Sequence, residues 1–202
     1  MNVVLEFLKG GGVMMYPLIG CSVLLIALVI ERAVTLRKMN GDGDEVLEEV
    51  RRVAPNFAAV SESTKNNGAI GRVLARGIKN AGRPADAIEM AIEQEAAGEM
   101  PALDANLPVI KTIVNIAPLL GLLGTIAGMI TSFRAASQSG LSNPTQVLGG
   151  ISEALISTAT GITIAIIGFI SYNYFANQSK KIVEDMEFYG AELVNVLTDR
   201  VS

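Results

Sequence analysis

The side chain with the clearest chemical potential in this chain is a glutamate inside an apolar segment. Glu153 is the only carboxylate in the apolar segment 151–175, and Thr158 follows it in a run rich in Thr, Ser and Gly. Ionisable and hydroxyl groups at membrane depth normally face a bundle interior or a wet pathway, so residues 151–175 are interpreted as part of an ion route. A Thr in an apolar helix can also simply bond its own preceding carbonyl, so this interpretation depends on the combination with Glu153.

The stretches that must position these groups are long enough to cross a membrane. Half of the 202 residues are hydrophobic, 18% are charged and the mean hydropathy is +0.42, which is too apolar for an ordinary soluble domain of this size. Residues 13–30, 112–133 and 154–175 carry no charge, and each is close to the roughly 20 residues that cross a bilayer as a helix. The sequence therefore predicts an all-α integral membrane protein with three transmembrane helices, the first of them retained.

Basic residues beside the spans predict the orientation, because translocation of Lys and Arg is disfavoured. Positions 32, 37, 38, 111, 180 and 181 flank one side, against Lys9 and Arg134 on the other, so the N-terminus is expected outside and the C-terminus in the cytoplasm. The predicted segments, in chain order, are an interfacial helix with a glycine hinge (1–12), transmembrane helix 1 (13–38), a cytoplasmic helical domain (39–108), transmembrane helix 2 (109–134), a periplasmic connection (135–143), transmembrane helix 3 (144–178) and a cytoplasmic C-terminal helix (179–202).

Local patterns refine two of these segments. Apolar residues at helical spacing, among them Ile70, Val73, Leu74 and Ile78, predict a small helical bundle in the cytoplasmic segment. The order Asn143, Pro144 and then Gln146 is typical of a helix start, which places the beginning of the third long helix before the membrane. Pro101 and Pro108 interrupt the approach to the second span, and the sequence leaves open whether they bend one helix or separate two.

The residue inventory argues against catalysis and against nucleic-acid binding. The chain has no His, and its one cysteine, Cys21, lies in the first span, so neither a catalytic triad nor the usual zinc site can be assembled. No phosphate-binding loop is present, and no cofactor or metal is expected. Residues 39–108 hold seven basic and twelve acidic residues, a balance that disfavours a nucleic-acid surface.

Small residues form a stripe on each of the last two spans. Because small side chains let helix backbones approach closely in lipid, each stripe is a packing surface against the other stripe, a neighbouring copy or a partner helix. The stripes are Ala117, Gly121, Gly124, Gly128 and Thr131 on one span, and Ala154, Thr158, Gly161, Ala165 and Gly168 on the other. Thr125 lies beside Gly124, which brings a hydroxyl next to the first stripe.

Two long patterns in these spans carry a resemblance. Residues 117–125 read APLLGLLGT and residues 150–161 read GISEALISTATG. With the flanking residues they closely resemble the MotA/TolQ/ExbB proton-channel family, and nearly the whole chain fits. One departure is Ile167, which stands where members commonly have a proline, so a kink expected at that position is in doubt.

The resemblance implies an inner-membrane ring of five identical subunits around the single transmembrane helices of two ExbD/TolR-like partner chains. Thr125 and Thr158 match the family's pore-facing threonines, and Glu153 matches its third-helix glutamate. The partner would carry the membrane aspartate that takes up and releases ions, and proton flow would drive mechanical work on the cell envelope or outer-membrane transport. The short cytoplasmic segment resembles the TolQ and ExbB branch more than the flagellar stators.

Other functions stay open on the sequence alone. The chain could be a non-conducting scaffold, in which the stripes serve assembly and Glu153 pairs with a donor of a neighbouring copy. A sodium-driven stator of the same family is a further alternative, because Thr and Glu suit either ion. A transporter for a small solute is weaker, since three spans without an internal repeat would have to oligomerise to enclose a site.

Overall fold

The computed structural model describes residues 10–53, 64–139 and 144–198, and the regular elements within these ranges are all α-helices. In chain order they are α1 (Met15–Met39), α2 (Gly43–Val53), α3 (Gly68–Lys79), α4 (Ala85–Asp104), α5 (Leu107–Ser139) and α6 (Pro144–Leu197). Three helical stretches, which include α1, α5 and α6, are long and apolar enough to cross a membrane. The predicted all-α fold with three membrane helices is confirmed.

One packed unit contains α1 up to Ile30 and the chain from Asn106 to Asn173. Its interior holds Leu18 and Leu25 of α1 with Ile113 of α5 and Ile164 of α6. The outer faces of the helices are apolar as well, which suits contact with lipid or with another apolar helix rather than with water. The exposed large side chains include Leu119, Leu122, Ile126, Ile130 and Phe133 of α5 and Leu155, Ile162, Ile166, Phe169 and Ile170 of α6.

The second unit contains residues 31–105 and the part of α6 from Tyr174 onward. Its core is built by the apolar faces of α2, α3 and α4 with that part of α6, and it buries Val50, Ile88, Ile182, Met186 and Leu193. All four residues of the predicted apolar set in α3 are buried here, so the helical bundle expected in this segment is present. Arg72 of α3 makes two hydrogen bonds to the carboxylate of Glu99 of α4, at 2.6 and 2.7 Å, and this pairing raises the pKa of Arg72.

A buried arginine satisfies the carboxyl end of α4. Arg32 is 2% exposed, pairs with Glu31 at 2.6 Å and donates a hydrogen bond to the carbonyl oxygen of Ala102 at 3.0 Å. The last carbonyls of a helix have no partner within the helix, and a cation there is favourable. Arg32 therefore stabilises the end of α4, whereas the sequence predicted for it only a place among the basic residues beside the first span.

The break between α4 and α5 answers the question left open by the two prolines. Pro101 lies inside α4, Pro108 is the second residue of α5, and Asn106 between the helices has a φ of +62°. Because Asn tolerates this left-handed conformation better than most residues, the helix can be interrupted there. The prolines thus flank a boundary between two helices.

Several predicted segment boundaries can be compared with the ends of the observed helices. Helix α5 continues to Ser139, past the predicted end at residue 134, and α6 runs through residue 178 without a break to Leu197. The interfacial helix predicted for the first residues and the helix start at Asn143 fall on residues 1–9 and 140–143, outside the described ranges. The division into membrane, cytoplasmic and periplasmic segments stays a prediction.

Candidate functional site

The two small-residue stripes pack against each other within one subunit. A Cβ placed on Gly161 would overlap the carbonyl oxygen of Ala117, and one placed on Gly121 would lie 3.1 Å from the Cα of Thr158. At Gly128, the added Cβ would lie 2.9 Å from the Cβ of Ala154. The lower-numbered residues of α5 meet the higher-numbered residues of α6, so the helices are antiparallel. We call this contact surface the α5–α6 seam.

Close approach along the α5–α6 seam is possible only because these positions lack larger side chains. In lipid, helix association depends on such close backbone packing and on hydrogen bonds between helices. Within this chain, residues of each stripe contact the opposite stripe at Ala117, Gly121, Gly128, Ala154 and Gly161, whereas Gly124 contacts Ser157. A partner-facing role for these residues and for the half-buried Ala165 stays a prediction.

Thr158 makes a hydrogen bond across the seam. Its hydroxyl donates to the carbonyl oxygen of Gly121 in α5 at 3.0 Å. In a regular α-helix this carbonyl also accepts the amide of the residue four positions later, which is Thr125. The two threonines that the sequence singled out therefore lie on adjoining turns of neighbouring helices.

The hydroxyl of Thr125 is bonded within its own helix. It donates to the carbonyl oxygen of Leu122 at 2.6 Å, and the side chain is half-buried. A hydroxyl group has one proton to donate and two lone pairs that can accept. In Thr125 and Thr158 the proton is donated to a carbonyl, and the lone pairs can still accept a hydrogen bond. Oxygens in this state can accept a hydrogen bond from water or from a protonated carboxyl group, and they can coordinate a cation.

Glu153 points in a different direction from Thr158. Their five-residue separation turns an α-helix by roughly 140° beyond a full circle, since each residue adds about 100°. The half-buried Glu153 side chain lies against Gly12, just before α1 begins, whereas Thr158 lies against α5. The structure therefore does not bring all three candidate residues onto one face.

The contact with Gly12 also places the carboxylate beside the start of α1. Helix α1 begins at Met15, so Glu153 lies at the level of the first residues of the first span. Its position along α6 is about 7.5 Å from that of Thr158, at 1.5 Å per residue. The carboxylate thus lies beside the residues that precede α1, and its membrane depth stays a prediction.

Two serines lie in the seam: Ser157, which the sequence places next to Thr158, and Ser132, which the sequence reasoning did not single out. The Ser132 hydroxyl lies 3.0 Å from the carbonyl oxygen of Gly128 and 2.9 Å from that of Val147 across the seam, and its single proton can serve either acceptor. Ser157 is fully buried against Gly124, and its hydroxyl has no hydrogen-bond partner among the described residues. Ser132 could have been found, because it extends the four-residue spacing of Gly124 and Gly128.

The opposite end of the seam carries an aromatic and a basic residue. The Lys111 ammonium lies 5.8 Å from the centre of the Tyr172 ring, within cation–π range. Lys and Tyr are typical residues of a membrane–water interface. The described residues contain no cluster of three or more His, Cys, Asp or Glu side chains that could hold a metal ion.

Comparison with known proteins finds relatives along most of the chain. Residues 65–188 match the model of the MotA/TolQ/ExbB proton channel family. The putative biopolymer transport protein ExbB-like 3 of Synechocystis sp. is 35% identical over 82% of this chain and 81% of its own length. The Tol-Pal system protein TolQ of Pseudomonas aeruginosa is 30% identical over 80% of this chain and 65% of its own length. A putative biopolymer transport protein ExbB homolog of Methanothermobacter thermautotrophicus is 27% identical over 91% of this chain and 67% of its own length.

Proposed function

This chain belongs to the MotA/TolQ/ExbB proton channel family, and from that premise we propose that it is the ring subunit of an ion-driven motor. The chain is a multi-pass protein of the inner membrane. In the proposed assembly, five copies surround the membrane helices of two ExbD/TolR-like chains, with the N-terminus outside and the C-terminus in the cytoplasm. Proton flow through this assembly drives work on the cell envelope or transport at the outer membrane.

The observation that carries this proposal is the pair of threonines on adjoining turns of α5 and α6. The hydroxyls of Thr125 and Thr158 donate to the carbonyls of Leu122 and Gly121, and their lone pairs can still accept hydrogen bonds. Such oxygens stabilise the protonated form of an acidic side chain that enters from a partner helix, because that form has an O–H to donate. They add no fixed charge that would compete with the ion.

The energy supply in this proposal is the membrane potential and not a nucleotide. Moving one unit charge through 100 mV releases about 2.3 kcal/mol, so several ions per step supply useful mechanical work. In the proposal, the partner's membrane carboxylate takes up and releases the ion, while Glu153 acts at the end of the pathway where α1 begins. Glu153 is half-buried, and none of the ion pairs among the described residues includes it.

A second candidate function, a non-conducting scaffold, is favoured by one observation. The proton of each threonine hydroxyl is already bonded inside the subunit, and the bond from Thr158 to Gly121 joins two helices. In a scaffold these bonds would serve assembly alone. The two candidates differ in whether the hydroxyls are needed after the ring and its partner have assembled.

Ion flux in liposomes separates these candidates. The chain is reconstituted with its ExbD/TolR-like partner, and uptake is followed with a pH-sensitive dye under a proton gradient and then under a sodium gradient. We expect proton-coupled flux that requires the partner and is lost in Thr158→Val and Thr125→Val. A fully assembled complex without flux would favour the scaffold, and flux that depends on sodium alone would assign the sodium-driven alternative.

A further inference from the structure

Three consecutive glycines precede α1 and lie against α6, in the same packed unit as the candidate site. A Cβ on Gly12 would overlap the carboxylate of Glu153, and it would lie 2.7 Å from the Cγ of that side chain. A Cβ on Gly11 would lie 3.0 Å from Cγ2 of Ile156, and one on Gly10 would lie 3.1 Å from Cδ1 of the same residue. The glycine run, expected from the sequence to be a hinge, is thus in contact with one turn of α6.

Two features of the structure favour a residue without a side chain at position 12. Its φ of +67° lies in the left-handed region, which glycine adopts more readily than other residues. The chain turns there into α1, and the amide of Met15 donates to the carbonyl oxygen of Gly12 at 3.1 Å. The second feature is the space occupied by the Glu153 carboxylate.

We propose that Gly12 is a positioning residue for Glu153, because its bare backbone holds the carboxylate against the start of α1. The amides of Met15, Tyr16 and Leu18 already donate to the carbonyls of Gly12, Val13 and Met14, and residue 17 is a proline. The attraction for a carboxylate at this end is therefore that of the helix dipole, whose N-terminus carries a partial positive charge. Any side chain at position 12 displaces the carboxylate from this place. The consequence for ion transfer rests on the function proposed above, whereas the contact itself does not.

The contact can be tested by stability measurements that involve no ion transfer. Gly12→Ala is compared in the full-length chain with and without Glu153→Ala, and thermal unfolding is measured in detergent. Gly82→Ala is the matched control, since Gly82 also has a positive φ, +84°, but open space around its Cβ position. We expect Gly12→Ala to lower the midpoint more than Gly82→Ala does, and this excess to disappear in the Glu153→Ala background. An equal effect of Gly12→Ala in both backgrounds would overturn the proposal.

The positioning role is tested by rescue of ion flux. Gly12→Ala is expected to lower flux about tenfold, which is within the range of coupling between contacting residues. Glu153→Asp has a carboxylate one methylene shorter, so the double variant should recover most of the flux lost in Gly12→Ala. Absence of recovery would refute the positioning role. If Glu153→Gln in the native background has normal flux, the proposed part of Glu153 in ion transfer fails, while the stability coupling still decides whether the contact exists.

Discussion

Thr158→Val separates two possible roles of this hydroxyl, helix packing and ion transfer, because valine keeps the shape of threonine and removes its oxygen. The bond lost is the 3.0 Å hydrogen bond from Thr158 to the carbonyl of Gly121. Hydrogen bonds between membrane helices contribute about 0.6 kcal/mol on average and up to roughly 1.7 kcal/mol. A loss of about 0.6 kcal/mol changes an equilibrium roughly threefold and lowers the thermal midpoint of a chain of this size by about 2 °C.

The expected result is therefore a small loss of stability together with a complete loss of partner-dependent ion flux. Both are measured on the same preparation, by thermal unfolding of the detergent-purified complex and by dye-reported flux in liposomes. Thr163→Val is the matched control, since Thr163 is exposed on the same helix and donates to the carbonyl of Ala159, within α6, at 2.8 Å. It should change neither quantity.

Two results would refute the reasoning behind Thr158→Val. Normal flux in this variant, with its partner bound, would show that the oxygen serves packing alone. A fall of about 10 °C or more in the thermal midpoint would far exceed the contribution of one such hydrogen bond, and the loss of flux could then not be attributed to the pathway.

Three further predictions concern the stability of the two packed units. Gly161→Ala should destabilise the protein by about 1–3 kcal/mol in thermal unfolding, because the added Cβ forces the helices of the seam apart; Gly149→Ala, where the Cβ meets open space, should be neutral or stabilising. Arg32→Met should leave the last carbonyls of α4 without a donor, a loss of about 1–3 kcal/mol that hydrogen exchange at that helix end will report. Burial, and to a smaller extent the hydrogen bond with Asp44, raises the pKa of Tyr189. The stabilisation that neutral Tyr189 gives the folded protein is therefore present below about pH 10 and is lost as pH rises through the folded-state pKa. In pH-dependent unfolding, Tyr189→Phe should lose less stability than the native protein above about pH 10.

The helices themselves follow from the sequence because their signals are local. Uncharged runs of membrane length predicted α1, α5 and α6, and the four-residue apolar set in α3 predicted a buried face that is present. The small-residue stripes predicted close packing but could not select the partner, since a stripe of glycines is equally suited to any backbone. Within one subunit, the structure shows contacts of Gly161 with Ala117 and of Gly121 with Thr158.

The direction of Glu153 could not be predicted from its own helix. Counting residues places it away from Thr158 on α6, but its contact with Gly12 depends on where α1 begins and on a backbone with positive φ. The burial of Arg32 could not be predicted from the sequence for a similar reason. A basic residue after a span predicts a membrane flank, whereas its hydrogen bond to Ala102 depends on where α4 ends.

The central claim is that the oxygens of Thr125 and Thr158 face a water-accessible path that receives a partner's acidic helix. Cys21 is the only cysteine, so Cys21→Ser provides a background in which Thr125→Cys, Thr158→Cys and the control Thr163→Cys can each be labelled with a small water-soluble thiol reagent. We predict that the first two react in the assembled ring without the partner and are protected when the partner is bound, while Thr163→Cys is unaffected by the partner. Failure of both to react, or reaction that the partner leaves unchanged, would contradict the account.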